Sequence, residues 1–157
     1  MTERNITHGS FSLERTWDVP RERVFAAFST LEGKSAWFGG GGDYTTIERS
    51  FDFCEGGKER ATGRWANGTV SQFDATYFDI VPDERIVYAY EMHIDGTKIS
   101  VSLATIEFKQ VAAGTRLLVS ETGAFLDGYD DAGSREHGTN FLMDHMGASL
   151  GLELAKA

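Results

Sequence analysis

A sustained helical period occurs in one stretch of this chain, residues 134–154, and it follows a long succession of strand-like segments. Thr139, Leu142, Met143, Met146 and Leu150 fall within about 120° of one another around the helix axis, which makes one broad apolar stripe. Phe141, Ala148 and Leu152 form a narrower strip roughly opposite. A long helix with such a stripe has to be laid against an apolar surface, and the strands before it are the available supply. A helix across a curved antiparallel sheet encloses either a packed core or a cavity.

The strands are marked out by turns. Residues 10–17 alternate, and Asp18-Val19-Pro20 then announces a helix whose buried face is Val24, Phe25 and Phe28, with proline in the first turn where its missing N–H costs nothing. A second short helix, residues 31–38, ends in Trp37-Phe38. Gly39 to Gly42 read as a connector with no side chain to hold it, at the rim of whatever lies beneath. Strands are expected over residues 44–54, 58–65, 70–80, 85–94, 98–109 and 115–122, separated by Gly56-Gly57, Asn67-Gly68, Pro82-Asp83, Asp95-Gly96 and Ala113-Gly114. In residues 85–94, Ile86, Tyr88, Tyr90, Met92 and Ile94 alternate with Arg85, Val87, Ala89, Glu91 and His93. In the next strand Ile99, Val101 and Leu103 share one face, and the phase changes before Ile106 and Phe108, which predicts a bulge between them. The order is strand, two short helices, six strands, long helix. The expected fold class is α+β, a helix-grip, in which a curved antiparallel sheet wraps around a long C-terminal helix with two short helices after the first strand.

A chain of 157 residues fits one domain, taken as residues 1–157. Its net charge of −9 disfavours phosphate backbones and anionic lipid, so neither nucleic acid nor a membrane surface is an expected partner. The polar start has no signal-peptide core, no stretch is apolar enough to span a bilayer, and the lone Cys54 cannot form an internal disulfide; a cytoplasmic location is expected.

Several phrases together resemble the Bet v 1/START-like (SRPBCC) superfamily, and within it the bacterial homologues of the Hsp-90 ATPase activator. They are residues 11–20 (Phe-Ser-Leu-Glu-Arg-Thr-Trp-Asp-Val-Pro) leading into Val24 to Phe28; Trp37-Phe38; Asp52 with Gly56-Gly57; Ile80-Val81-Pro82 before Arg85 to Tyr88; Gly114 to Leu117; and Gly138 with Leu142 to Met146. Two positions depart from the pattern. Cys54 stands where the family usually has an arginine, and Thr139 where a tryptophan is common. The resemblance implies a helix-grip domain and, through the family name, a protein partner.

Candidate site residues follow from the faces. Phe73, Tyr77, Tyr88, Tyr90 and Met92 fit the concave side of the sheet, joined by Val101 and Leu103 from the next strand. Leu142, Met143, Met146 and Leu150 face them from the helix, and Trp37 and Phe38 stand at the mouth. Together they describe a deformable apolar pocket for a small apolar or aromatic molecule, whose inward tyrosines require hydrogen-bond partners. The alternatives are a protein-interaction domain, including a homodimer through the strip of Phe141, Ala148 and Leu152, and an enzyme using a pocket carboxylate or tyrosine.

No catalytic residue, cofactor or metal site is expected. His8, His93, His137 and His145 have no ligand spacing, His93 reads as a surface residue, and Cys54 reads as a small buried hydrophobe in a strand. Glu107 and Glu121 continue apolar strand faces; the reading preferred for both is the open end of the sheet, in water.

Overall fold

Each turn signal divides the middle of the chain, and within each segment alternation decides which face is buried. A computed structural model describes residues 3–39, 41–112 and 114–151. The elements are β1 (Ile6–Trp17), α1 (Arg21–Ser29), α2 (Leu31–Ser35), β2 (Tyr44–Phe51), β3 (Lys58–Trp65), β4 (Val70–Val81), β5 (Arg85–Ile94), β6 (Thr97–Val111), β7 (Gly114–Leu126) and α3 (Ala132–Ser149). The strands form one antiparallel sheet in the order β1-β7-β6-β5-β4-β3-β2. Consecutive strands from β2 to β7 pair as hairpins, and the first strand closes against the last. The fold is the expected α+β helix-grip. Gly40, Ala113 and Leu152 lie outside the described residues, and so does the expected end of the helix beyond residue 151.

Three register shifts bend the sheet. On β2, Thr46 and Glu48 face consecutive residues of β3, so Ile47 is extra. On β4, Tyr77 and Asp79 face Tyr88 and Val87, so Phe78 is extra. On β6, Met92 faces Ser100 while His93 faces Lys98, so Ile99 is extra. Ile47 and Phe78 are turned outward, and Ile99 is buried.

The third shift corrects the reading of β6. The bulge was expected between Leu103 and Ile106, with Val101 and Leu103 inside. It lies at Ile99, so from Ser100 onward the inner face is Ser100, Ser102, Ala104, Ile106 and Phe108, all buried. Val101 and Leu103 are exposed on the outer face. A bulge reverses the parity of everything after it. The polar and small residues sit inside because α3 sends the guanidinium of Arg135 onto Ser100 and Ser102.

The helices are fixed to the sheet at few points. Phe25 and Phe28 of α1 pack edge-on against Phe108, with ring centroids 5.2 and 5.5 Å apart. Each ring buried this way stabilises by roughly 1.5–3 kcal/mol. Thr30 caps α2 by accepting from the Gly33 N–H at 3.0 Å. Trp37 donates its indole N–H to the Ala27 carbonyl at 2.8 Å, tying the end of α2 back to α1. Asp131 caps α3 by accepting from the Ser134 N–H, and Arg15 of β1 donates to Asn140 Oδ1 at 2.9 Å and to Asp144 Oδ1 at 3.2 Å. Toward the C-terminal end of α3, Met143 and Met146, with Leu150 just beyond the helix, join Val24, Phe28, Ile106 and Leu117 in the main core.

Candidate functional site

The first half of α3 does not meet the sheet as closely as the second half. Between them is a pocket of about 300 Å³. Its floor is the inner face of β3 to β5, with Ala61, Phe73, Tyr88, Tyr90 and Met92. Its roof is Arg135, Thr139, Leu142 and Met143, and the end of α2 contributes Trp37, Phe38 and Gly39. Tyr44, Trp65 and the half-exposed Phe141 also line it, and Glu121 of β7 reaches in from the far side. Small residues leave the room: Ala61, Ala75 and Ala104 are buried among Phe73 and Tyr90.

Of the residues expected to line a pocket, the structure brings Trp37, Phe38, Phe73, Tyr88, Tyr90, Met92, Leu142 and Met143 together. Met146 and Leu150 are closed into the packed core, one turn and two turns beyond the hollow. Tyr77 is buried and only 1% exposed, beneath the floor. Val101 and Leu103 lie on the opposite face of the sheet, for the reason of parity given above.

Two carboxylate–tyrosine pairs are buried on the inner face. Under the floor, Tyr77 donates to Glu59 Oε1 at 2.5 Å and the Lys34 ammonium donates to the same oxygen at 2.6 Å. Arg49 lies 2.8 Å from the second oxygen of Glu59. The rings of Phe38, Phe73 and Tyr88 stand 4.7, 5.4 and 5.7 Å from the Lys34 nitrogen, a cation enclosed by aromatic faces. Burial pushes the Glu59 carboxyl up, but Lys34, Tyr77 and Arg49 together hold it below the usual carboxylate range. Burial pulls the Lys34 ammonium down from the usual lysine range, and Glu59 opposes this in part.

At the inner end of the pocket, Tyr90 donates to Glu121 Oε1 at 2.6 Å. Arg135 donates in turn to the Tyr90 hydroxyl at 3.0 Å, to Ser100 at 2.7 Å and to Asp130 at 2.8 Å. Burial raises the Glu121 carboxyl above the usual range, with the Tyr90 hydrogen bond and the Arg135 charge opposing. Burial, and then the negative charge of Glu121, push the Tyr90 hydroxyl up. Glu121 was expected in water and is only 7% exposed, whereas Glu107 is half-exposed beside Lys109. Glu121 continues the parity of Leu117 and Val119 without interruption, and that parity was the better guide.

Cys54 also differs from expectation. It is exposed, in the turn after β2, with its thiol 3.5 Å from Asp52 Oδ1; loss of solvation and then Asp52 push the thiol up. His93 is partly covered on the outer face beside Glu91 and is not a free surface side chain. His145 donates from Nδ1 to the Phe141 carbonyl at 3.0 Å and packs its ring 4.3 Å from that of Phe141. Among the described residues, no group of three or more His, Cys, Asp or Glu could hold a metal ion, and no helix is long and apolar enough to cross a membrane.

The sequence reasoning missed Lys34, Glu59 and Arg135. Arg135 had a usable signal, since stepping the α3 stripe back one turn from Thr139 lands on it. Glu59 had none, because β3 has too few large apolar residues to show a period. The helix carrying Lys34 is a single turn.

A family model for "Activator of Hsp90 ATPase homolog 1-like protein" matches residues 18–151. No curated protein matches the chain. Among solved structures, a protein from Rhizobium leguminosarum is 39% identical over 96% of this chain and 99% of its own, with a TM-score of 0.90. One from Rhizobium loti is 40% identical over 92% and 99%, with a TM-score of 0.85. The solution structure of an AHSA1-like protein from Aeromonas hydrophila, 18% identical over 93% and 96% with a TM-score of 0.69, shares the fold. With the family model spanning all elements from the entry to α1 through α3, the chain belongs to the family of activator of Hsp90 ATPase homolog 1-like proteins.

Proposed function

We propose that this domain binds a small, mostly apolar or aromatic molecule between the sheet and the first half of α3. The observation that carries the reading is the shape of the space. Its roughly 300 Å³ reaches the size of small-molecule pockets, and the walls are aromatic and aliphatic with a few polar groups converging at one end. A contact role for the outer sheet face is the second reading, favoured by the exposed side chains of Val101 and Leu103 beside Ala89 and Ala124. The Glu121–Tyr90 pair would also suit proton transfer to a bound substrate, which makes an enzyme the third reading.

A pair of substitutions on one helix tests the first reading. Leu142 borders the pocket and Met146 does not. Leu142→Trp places an indole in open volume, so stability changes by less than about 1 kcal/mol and a neutral naphthalene dye no longer binds. Met146→Trp overpacks the core and costs about 1–3 kcal/mol or more. Dye binding by Leu142→Trp equal to that of the parent removes the ligand reading and leaves the outer face.

A further inference from the structure

The two carboxylate–tyrosine pairs of the inner face are built alike but differ in charge. At the first, the Glu59–Tyr77 pair shares its oxygen with the Lys34 ammonium, and the rings of Phe38, Phe73 and Tyr88 surround that nitrogen. At the second, Glu121 with Tyr90 faces the pocket, beside the rings of Phe73 and Tyr88, whose centroids lie 4.9 and 5.9 Å from that of Tyr90. Among the described residues no ammonium or guanidinium pairs with Glu121, and Tyr90 is its only hydrogen-bond donor. Arg135 is near, but it is already neutralised by Asp130 at 2.8 Å, and its terminal nitrogens donate to Tyr90, Ser100 and Ser102. The inner end of the pocket therefore carries one carboxylate in excess, one of its oxygens takes no hydrogen bond from the described residues, and the Tyr90 that donates to the other is flanked by the rings of Phe73 and Tyr88.

Resting on the ligand reading above, we propose that the pocket selects molecules that carry a protonated amine on an aromatic or apolar body, with Glu121 as the counter-charge. The ammonium donates to Glu121 as Lys34 donates to Glu59, while the pocket-lining rings of Phe73 and Tyr88 serve the cation and its aromatic body, the Tyr90 ring already carrying the Arg135 guanidinium 5.6 Å from its centroid. Anionic ligands are disfavoured on the same ground. A carboxylate brought to this end meets Glu121 without a free cation to offset it, because the charge of Arg135 is matched by Asp130. The net charge of −9 also raises the local concentration of cationic molecules over anionic ones.

The test uses three probes that differ only at the polar group: naphthylmethylamine, naphthylmethanol and naphthoate, titrated calorimetrically into the wild-type protein at neutral pH. The amine should bind at least about tenfold more tightly than the alcohol, and naphthoate should bind most weakly. In Glu121→Gln, where the amide oxygen can still accept from Tyr90, the amine's advantage over the alcohol should fall to about threefold or less. The wild-type series is decisive without the variant. Naphthoate bound as tightly as the amine, or an amine preference that persists in a folded Glu121→Gln, overturns this inference and leaves the apolar pocket standing. Failure of all three probes to bind the folded wild type overturns both.

Discussion

Lys34 is 2% exposed, and burying an ammonium is worth attempting only if its partners are already in place. Glu59 supplies the charge, Tyr77 donates to the same Glu59 oxygen as Lys34, and Arg49 lies within ion-pair distance of the other. Replacing Lys34 by methionine keeps the volume but leaves a fully buried carboxylate with one charged partner fewer. Lys34→Met should therefore cost about 3–5 kcal/mol in urea unfolding. Lys34→Met with Glu59→Gln should recover only part of that, since the amide still accepts from Tyr77 but the Arg49 guanidinium loses the counter-charge it has in the parent. A single variant that loses less than about 1 kcal/mol would show that the pair is not held as tightly as its geometry implies. This cluster was invisible in the sequence, where Lys34 sits in a helix of one turn and Glu59 in a strand without apolar alternation.

At the scale of elements, the edge of the sheet shapes the pocket mouth. Gly63 of β3 lies beneath the ring of Tyr44 at the start of β2, and a Cβ at Gly63 would overlap that ring. Tyr44 in turn packs edge-on against Trp65, with centroids 5.1 Å apart, and both line the pocket. Gly63→Ala should push the Tyr44 ring outward, at a cost of about 1–3 kcal/mol, because the edge strand can yield where a central one could not. The expected result is a several-fold faster release of a neutral naphthalene dye in stopped flow. Lost stability with an unchanged release rate would mean that Tyr44 does not close the mouth. Elements of this kind were largely legible: β3 and β5 begin and end where their turns predicted, and the alternation on β5 assigned Tyr88, Tyr90 and Met92 to the inner face. What failed was β6. One extra residue at Ile99 exchanges the two faces, and a run such as Ser100, Ser102, Ala104 looks like an outer face until Arg135 is seen lying on it. Helical phase reached Met146 and Leu150 correctly as inward residues, but phase reports direction and not whether the space ahead is filled.

For the molecule as a whole, the two buried carboxylates impose opposite dependences of stability on pH. Glu59 is held below the usual range, so its contribution is present above the unfolded-state value and is lost as pH falls through the folded-state value. Glu121 is raised by burial, so the folded chain keeps a proton that the unfolded chain has released, and stability falls as pH rises from the usual carboxylate range to the raised folded-state value. The charged and titratable groups facing Glu121 are Tyr88 and Tyr90 from β5 and Arg135 from α3, the last matched by Asp130. Its cross-strand neighbours, Phe11 on β1 and Ala104 on β6, carry no charge. Burial therefore dominates, and the slope it imposes cannot exceed about 1.4 kcal/mol per pH unit for one proton. Glu121→Gln removes that slope while leaving the Glu59 cluster untouched. Measured by chemical unfolding, the stability of the variant relative to the parent should rise from acidic to neutral pH and level off above the folded-state value. A difference that stays flat across that range would mean Glu121 titrates as an ordinary solvated carboxylate. Naphthylmethylamine at saturating concentration should hold Glu121 ionised in the folded state and flatten the parent's slope in the same direction as the substitution, so the charge of the pocket and the stability of the fold are read by one titration.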